Sequence, residues 1–489
     1  MSDWLATHST AESLNAGLDL EMPAGLFYNG DAVKVAIGLG RVSQATVDEH
    51  VLRTLSTMFA FNVFDVPTTG QLSANVTSFE HNSVARRIAA QSTVMLKNEG
   101  AALPLYTEAG SRENVVRSLA VVGTGAHDAP MVTGGGSGFV KGNRVLTVLD
   151  VLRVRAGLPP ANISYSTDTA SAVVSAAEAD AAIVVVGTSS TEGLDRSSLS
   201  LRAEDVALIR AVGAVNKRTV VVVSCPGAIL TDWSDSASAI LVHFLAGQES
   251  GGAIVDILFG DTNPSARLPL TFPNMENEQA FTPEQYPGVR DGLHRVSTYS
   301  EKLAIGYRWY HTHRVAPAFA FGTNVCLGAA AFAPLGCTVR LFTTASRAVP
   351  AMRFDAGHGL SYTAFRYSNL TSSRTDSASA SAKEVQNMLT VSAVVSNVGS
   401  HAGCEVAQLY VTFPPDAAEP PRLLRGFVKT AVLQPAASER VSFGLRPQDL
   451  STWDVVSHDW KLEVGNFLFE IGSSSANIRL SASLEITHL

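Results

Sequence analysis

Hydrophobic positions along the chain fall into three successive patterns. Near the start, Val47, Val51, Leu55, Met58 and Phe59 recur at helical spacing, which puts them on one face of a helix that Ser43 is placed to cap. That face needs something to pack against. Gly17, Pro23 and Gly25 mark the stretch before it as loop, and the Pro/Thr/Gly-rich residues 66–77 read as a linker. From about Ser78 to Pro273, apolar runs stand at 119–122, 181–186, 219–223 and 239–242, each bounded by Gly, Pro or Asp. Amphipathic stretches separate them, such as 203–215 with Val206, Leu208, Ile209 and Val212. Strands buried on both faces read as unbroken apolar runs, so this order predicts a mainly parallel sheet covered by helices. From about Lys383 the period becomes two. Leu389, Val391, Ala393 and Val395 point one way while Thr390, Ser392 and Ser396 point the other, and Val441, Phe443 and Leu445 repeat the pattern. Short alternating strands with Gly, Asn and Pro turns predict an antiparallel sandwich.

Composition removes several classes of function. The chain has 489 residues, 46% of them apolar and 16% charged, enough for two to four ordered domains. Its net charge of −8 is spread out, with no Lys/Arg run, so neither nucleic acid nor an anionic membrane is an expected partner. No apolar stretch approaches the ~20 residues that span a bilayer. No signal peptide opens the chain, and Met1 does not read as a true start. Cys225, Cys326, Cys337 and Cys404 lack metal-ligand spacing, and His8, His81, His243, His311 and His313 lack acidic or thiol companions, so no metal is expected. Sequons at Asn75, Asn162 and Asn369 lean toward secretion.

Candidate chemistry sits in short motifs. The chain opens M-S-D-W-L-A-T-H-S-T, followed by A-G-L-D-L-E-M-P. Residues 184–201 read V-V-V-G-T-S-S-T-E-G-L-D-R-S-S-L-S-L, and 247–273 read G-Q-E-S-G-G-A-I-V-D-I-L-F-G-D-T-N-P-S-A-R-L-P-L-T-F-P. H-N-S-V-A-R-R-I-A-A-Q-S-T-V-M-L-K-N with L-P-L, then Y-S-E-K-L-A-I-G-Y-R-W-Y and H-G-L-S-Y-T-A-F, complete the set. Together they resemble glycoside hydrolase family 3, and within it the β-glucosidases. The resemblance implies a remnant of a (β/α)8 barrel with its linker over 1–77 and an α/β sandwich over 78–275. It further implies a connecting segment over 276–382 and a fibronectin type III-like β-sandwich over 383–489.

The same resemblance carries the nucleophile role onto Asp3 and the acid/base role onto Glu192, with Trp4 as an aromatic wall for a sugar ring. A carboxylate can attack an anomeric carbon and depart again as a glycosyl ester. A glutamate on a loop at the C-terminal end of a parallel strand lies where open α/β sheets hold ligands. If partly buried there, it would keep a raised pKa suited to protonating a leaving oxygen. The plainer readings are a solvated Asp3 and a Glu192 that pairs with Arg196. Asp195 and Arg196 are expected to shape the loop. Gly134, Gly135, Gly136, Ser137 and Gly138 fit neither phosphate-loop pattern, and the resemblance makes them a flexible loop near the sugar site. The implied activity is retaining hydrolysis of terminal β-linked glucose from β-glucosides or cello-oligosaccharides, without a cofactor. The implied setting of the full-length parent is extracellular or secretory. A β-xylosidase or other exo-glycosidase of the family is the nearest alternative, and a non-catalytic carbohydrate-binding protein is the alternative from another class. Oligomeric state is not legible.

Two departures from the family pattern stand out. A closed barrel takes ~200 residues or more, and far fewer precede the linker, so Asp3 is expected at a frayed end and hydrolysis by this chain is expected to be slight. The second departure is residues 323–357, which interrupt an F-G-H-G-L-S-Y-T motif that relatives read without a break. They are expected to be an unremoved intron or gene-model error. The alternative is a genuine loop with Cys326 paired to Cys337.

Overall fold

The computed structural model describes residues 1–67, 69–71, 73–107, 115–292, 294–323, 361–374 and 388–487. The interruption beyond Thr323, with Cys326 and Cys337, lies outside the described residues. The chain divides into two units, Met1–Val76 and Thr77–Leu489, each described by itself.

The described residues of the first unit hold three helices, α1 (Ala11–Asn15), α2 (Gly30–Gly38) and α3 (Gln44–Ala60). Asn29 caps α2 by accepting from the Ala32 amide at 2.8 Å, and Ser43 caps α3 by accepting from Thr46 at 3.0 Å. Ala11, Leu14, Ala36 and Val42 form a small core with Val33, Val47 and Tyr28 packed on it. The expected apolar face of α3 is only partly used. Val47 joins the core, whereas Val51, Leu55 and Phe59 stay exposed. In their place α3 buries His50, whose ring bonds Asp19 Oδ1 at 2.5 Å and the Leu14 carbonyl at 2.9 Å. Periodicity identifies a face but not its partner.

In the second unit, α4 (Phe79–Ser92) leads into a six-stranded sheet. Its strands are β1 (Val94–Asn98), β2 (Leu119–Val122), β3 (Ile163–Ser166), β4 (Ala181–Gly187), β5 (Thr219–Ser224) and β6 (Ala239–Val242), in the order β1-β6-β5-β4-β2-β3. Only β1 runs antiparallel. The four predicted apolar runs are the four inner strands, and alternate residues supply two cores. Val121, Ile183, Val185, Val220 and Val222 face α5 (Val148–Arg155) and α8 (Ser250–Leu258). Val122, Val184, Val221 and Val223 face α6 (Thr169–Glu178) and α7 (Ala203–Val215). Both faces being covered is why the runs are unbroken.

Past the sheet, the short hairpin β7–β8 (Val289–Asp291, His294–Val296) precedes α9 (Tyr307–His313). The C-terminal sandwich pairs a three-stranded sheet with a four-stranded one. The first holds β9 (Phe365–Arg374), β10 (Leu389–Asn397) and β13 (Ser438–Leu445). The second holds β11 (Val406–Thr412), β12 (Leu423–Lys429), β16 (Gly465–Ser474) and β17 (Asn477–Ile486). A further hairpin, β14–β15 (Ser451–Asp454, Asp459–Leu462), stands beside them. Leu389, Val391, Ala393 and Val395 are all buried between the sheets, as their period-two spacing predicts. Asn263 and Tyr362 join the α/β half to the sandwich. Asn263 Oδ1 accepts from the Tyr362 amide at 2.9 Å, and the Tyr362 hydroxyl donates to the Ile257 carbonyl at 2.6 Å. Arg267 and Glu405 add a buried ion pair across the same junction.

Candidate active site

In the first unit, the S-D-W segment lies alongside the D-L-E-M-P segment. The Ser2 amide donates to the Leu20 carbonyl at 2.9 Å, and the Ser2 hydroxyl accepts from the Met22 amide at 2.9 Å. The Leu5 amide donates to the Met22 carbonyl at 3.1 Å, and Trp4 and Met22 form an isolated parallel bridge. Asp3 is therefore held in register from both sides, which corrects the expectation of a frayed end. Asp3 Oδ1 accepts from the Trp4 amide at 2.6 Å, and both side chains are exposed. Glu21 is buried instead, with Oε2 accepting from the Phe27 and Tyr28 amides at 2.9 and 2.7 Å. It ties residues 21–28 together, next to the Leu20 and Met22 groups that bond the Asp3 segment.

In the second unit, Glu192 stands on the loop that leaves β4 at the C-terminal edge of the sheet. The glycine loop that follows β2 meets it there. The Gly135 amide donates to the Ser190 carbonyl at 2.9 Å, and Gly135 bridges Thr191. The Ser137 amide and hydroxyl both donate to Glu192 Oε2, at 2.7 and 2.5 Å. The approach is close enough to require glycine. A Cβ at Gly136, whose φ is +80°, would lie 2.4 Å from Glu192 Cβ, and one at Gly135 would lie 2.4 Å from Thr191 Oγ1. The loop expected to be flexible is thus fastened to the glutamate.

The electrostatics also differ from expectation. Glu192 is exposed, and its pKa is lowered, first by the Ser137 hydroxyl and then by the Ser137 amide. A raised value was expected from burial. With so little burial, two donors on one oxygen outweigh the desolvation that would raise it. Nor does Arg196 pair with Glu192, since its Nη2 donates to the Ala228 carbonyl at 2.8 Å. Asp195 accepts from the Tyr286 hydroxyl at 2.5 Å. Glu276 Oε1 accepts from the Ser198 hydroxyl at 2.7 Å and the Leu199 amide at 2.6 Å. Ser137 was legible as part of the glycine loop near the sugar site but not as a partner of Glu192. The contacts of Glu276 and Tyr286 with this loop were not legible, because both lie far along the chain from Glu192 and carry no motif of their own. Gln248, inside the G-Q-E motif, ties the neighbouring loops by donating to Asn82 at 2.8 Å and accepting from the Asn143 amide at 3.2 Å.

Among the described residues, no group of three or more His, Cys, Asp or Glu is placed to hold a metal ion. No described helix is long and apolar enough to cross a membrane. Cys225 and Cys404 are free thiols, and burial pushes Cys225 up to about 12.

Comparison with known proteins adds to this geometry. The glycosyl hydrolase family 3 C-terminal domain matches residues 93–307, and the fibronectin type III-like domain matches residues 405–475. Probable beta-glucosidase L of Aspergillus terreus is 33% identical over 533 aligned positions, covering 99% of this chain and 66% of that protein. Probable beta-glucosidase G of the same organism is 30% identical and is covered over 62% of its length. The chain therefore spans somewhat less than two thirds of these relatives. Among solved structures, β-glucosidase D2-BGL from Chaetomella raphigera is 30% identical with a TM-score of 0.78, covering 99% of this chain and 68% of that one. DesR, a β-glucosidase from Streptomyces venezuelae solved in complex with D-glucose, is 27% identical with a TM-score of 0.79, covering all of this chain and 72% of that one. The motifs, the α/β sheet with its sandwich and these likenesses agree: the chain belongs to glycoside hydrolase family 3.

Proposed function

We propose that the chain carries the two carboxyl groups of a retaining exo-β-glucosidase, with Asp3 as nucleophile, Glu192 as acid/base and Trp4 as a wall of the sugar site. The observation that carries the reading is Glu192 itself. It is exposed at the C-terminal edge of a parallel sheet and gripped by two donors from a neighbouring glycine loop. In the first step, the Asp3 carboxylate attacks the anomeric carbon, the glycosidic bond breaks, and Glu192 gives its proton to the departing oxygen. In the second step, Glu192 takes a proton from water, whose oxygen attacks the same carbon and frees Asp3. Such a sequence needs the two carboxyls ~5 Å apart across the bond and no cofactor.

The Ser137 contacts give this reading a further consequence. They favour the carboxylate of Glu192, the form that activates water, so the acid step requires the glutamate to pick up a proton against that preference. The substrate is proposed to be a β-glucoside or cello-oligosaccharide, and the setting extracellular. The exposure of the sequon residues Asn75, Asn162 and Asn369 supports the latter.

Turnover of aryl β-glucosides by the purified chain tests the reading. Slow hydrolysis is expected, because the relatives are half as long again. Asp3→Asn should abolish it. Glu192→Gln should reduce it at least ~100-fold for poor leaving groups and much less for activated ones. Rates indifferent to both changes would overturn the proposal. Faster turnover of aryl β-xylosides would move the substrate to xylose.

A further inference from the structure

Where the α/β half meets the sandwich there is a cavity of about 320 Å³ that the glycosidase reading does not use. Tyr307, His311 and Arg314 line it, together with Pro317, Phe321 and Thr271. The aromatic wall is set in advance. Tyr307 stacks on Phe321 with centroids 4.7 Å apart, stands edge-on to Tyr410 at 6.2 Å, and accepts from the Leu424 amide at 2.9 Å through its hydroxyl. Cavities of this size, mostly apolar with a few polar groups, are what small organic ligands occupy.

The charge on the wall narrows the ligand class. Among the described residues no carboxylate lines the cavity, and Arg314 is the one full cation there. The Arg314 guanidinium makes no ion pair or hydrogen bond among the described residues. Arg422 differs, since Glu470 holds it through two bonds of 2.9 and 2.8 Å. Burial, and then the field of Arg422, pushes His311 down from its ordinary value, so it presents a neutral ring at pH 7 rather than a second charge. Among the described residues, the buried Thr271 hydroxyl has no hydrogen-bond partner. Turning it toward an occupant would break no existing bond, and a new one would relieve the cost of leaving it unpaired. A free guanidinium matches a carboxylate in a two-point geometry, and the aromatic wall matches a flat ring.

We propose that this cavity binds a small aromatic monocarboxylate, with the carboxylate on Arg314 and the ring against the Tyr307–Phe321 pair. Isothermal titration of the full chain with trans-cinnamate tests it, with cinnamyl alcohol as the neutral molecule of nearly the same shape. Saturable binding with a Kd in the millimolar range or tighter is expected, and the alcohol should bind at least about tenfold more weakly. Arg314→Gln should weaken cinnamate about tenfold, leave the alcohol unchanged, and melt like the parent chain by circular dichroism. Absence of saturable binding, equal affinity for acid and alcohol, or unchanged affinity in Arg314→Gln would overturn the proposal. So would competition by D-glucose, which would place the probe in the sugar site. If Arg314→Gln fails to fold, the comparison of acid with alcohol on the unaltered chain decides.

Discussion

At the scale of single residues, three titrating groups show how surroundings set charge. Glu192 is held as a carboxylate by Ser137, with the hydroxyl as the larger cause. Ser137→Ala should therefore raise its pKa toward the ordinary glutamate value, read by carbon-13 titration of the side-chain carboxyl. An unchanged titration would remove Ser137 from the account. Asp19 is lowered to about 2, first by its bond to Arg53 and then by its bond to His50. Its stabilising contribution is complete above its ordinary value of 3.8 and is lost as pH falls toward 2. His243 works through burial alone. Its Nδ1 bonds Thr93 Oγ1 at 2.7 Å, its Nε2 has no partner among the described residues, and its pKa falls from 6.5 to about 4. A base lowered in the folded state disfavours folding wherever the unfolded chain takes up the proton first. Stability should thus fall by up to about 3 kcal/mol between pH 6.5 and 4. Thermal melts across that range, compared with His243→Leu, check the sign: the variant should lose less on acidification.

Elements bring these residues into place, and much of this level is legible in the sequence. The four inner strands read directly as apolar runs because helices cover both faces of the sheet. β3 escaped that test, since only Ile163 of its four residues is buried. Ile183→Ala in β4, at a fully buried position, should cost ~2–5 kcal/mol by urea unfolding. The fastening of the glycine loop to Glu192 was not legible, because it depends on two loops meeting at one sheet edge and no local pattern records the meeting. Gly136→Ala tests that contact. A side chain at φ +80° costs ~1–2 kcal/mol, and its Cβ would collide with Glu192. The expected result is a modest loss of stability together with a Glu192 titration shifted upward, as in Ser137→Ala.

For the whole molecule, the junction of α/β half and sandwich is tied by specific side-chain contacts, among them Asn263 with Tyr362, Tyr307 with Leu424 and Gln408 with Gly322. Glu405 is buried and Arg267 nearly so, and Glu405→Gln would leave the guanidinium unmatched at a cost of ~3–5 kcal/mol. Family membership was readable because its motifs are dense over most of the chain. The catalytic roles came only with that resemblance, since an aspartate and a glutamate on exposed loops look like any others. What joins the account is the claim that Asp3 forms a covalent bond to the sugar while Glu192 moves the proton. The most direct test is mass-spectrometric peptide mapping of the chain after reaction with a 2-deoxy-2-fluoro-β-glucoside, which slows release of the glycosyl ester. The account predicts one added fluoroglucosyl group on the peptide containing Asp3, absent in Asp3→Asn and slower to form in Glu192→Gln. A label on another residue, or none at all, would contradict it.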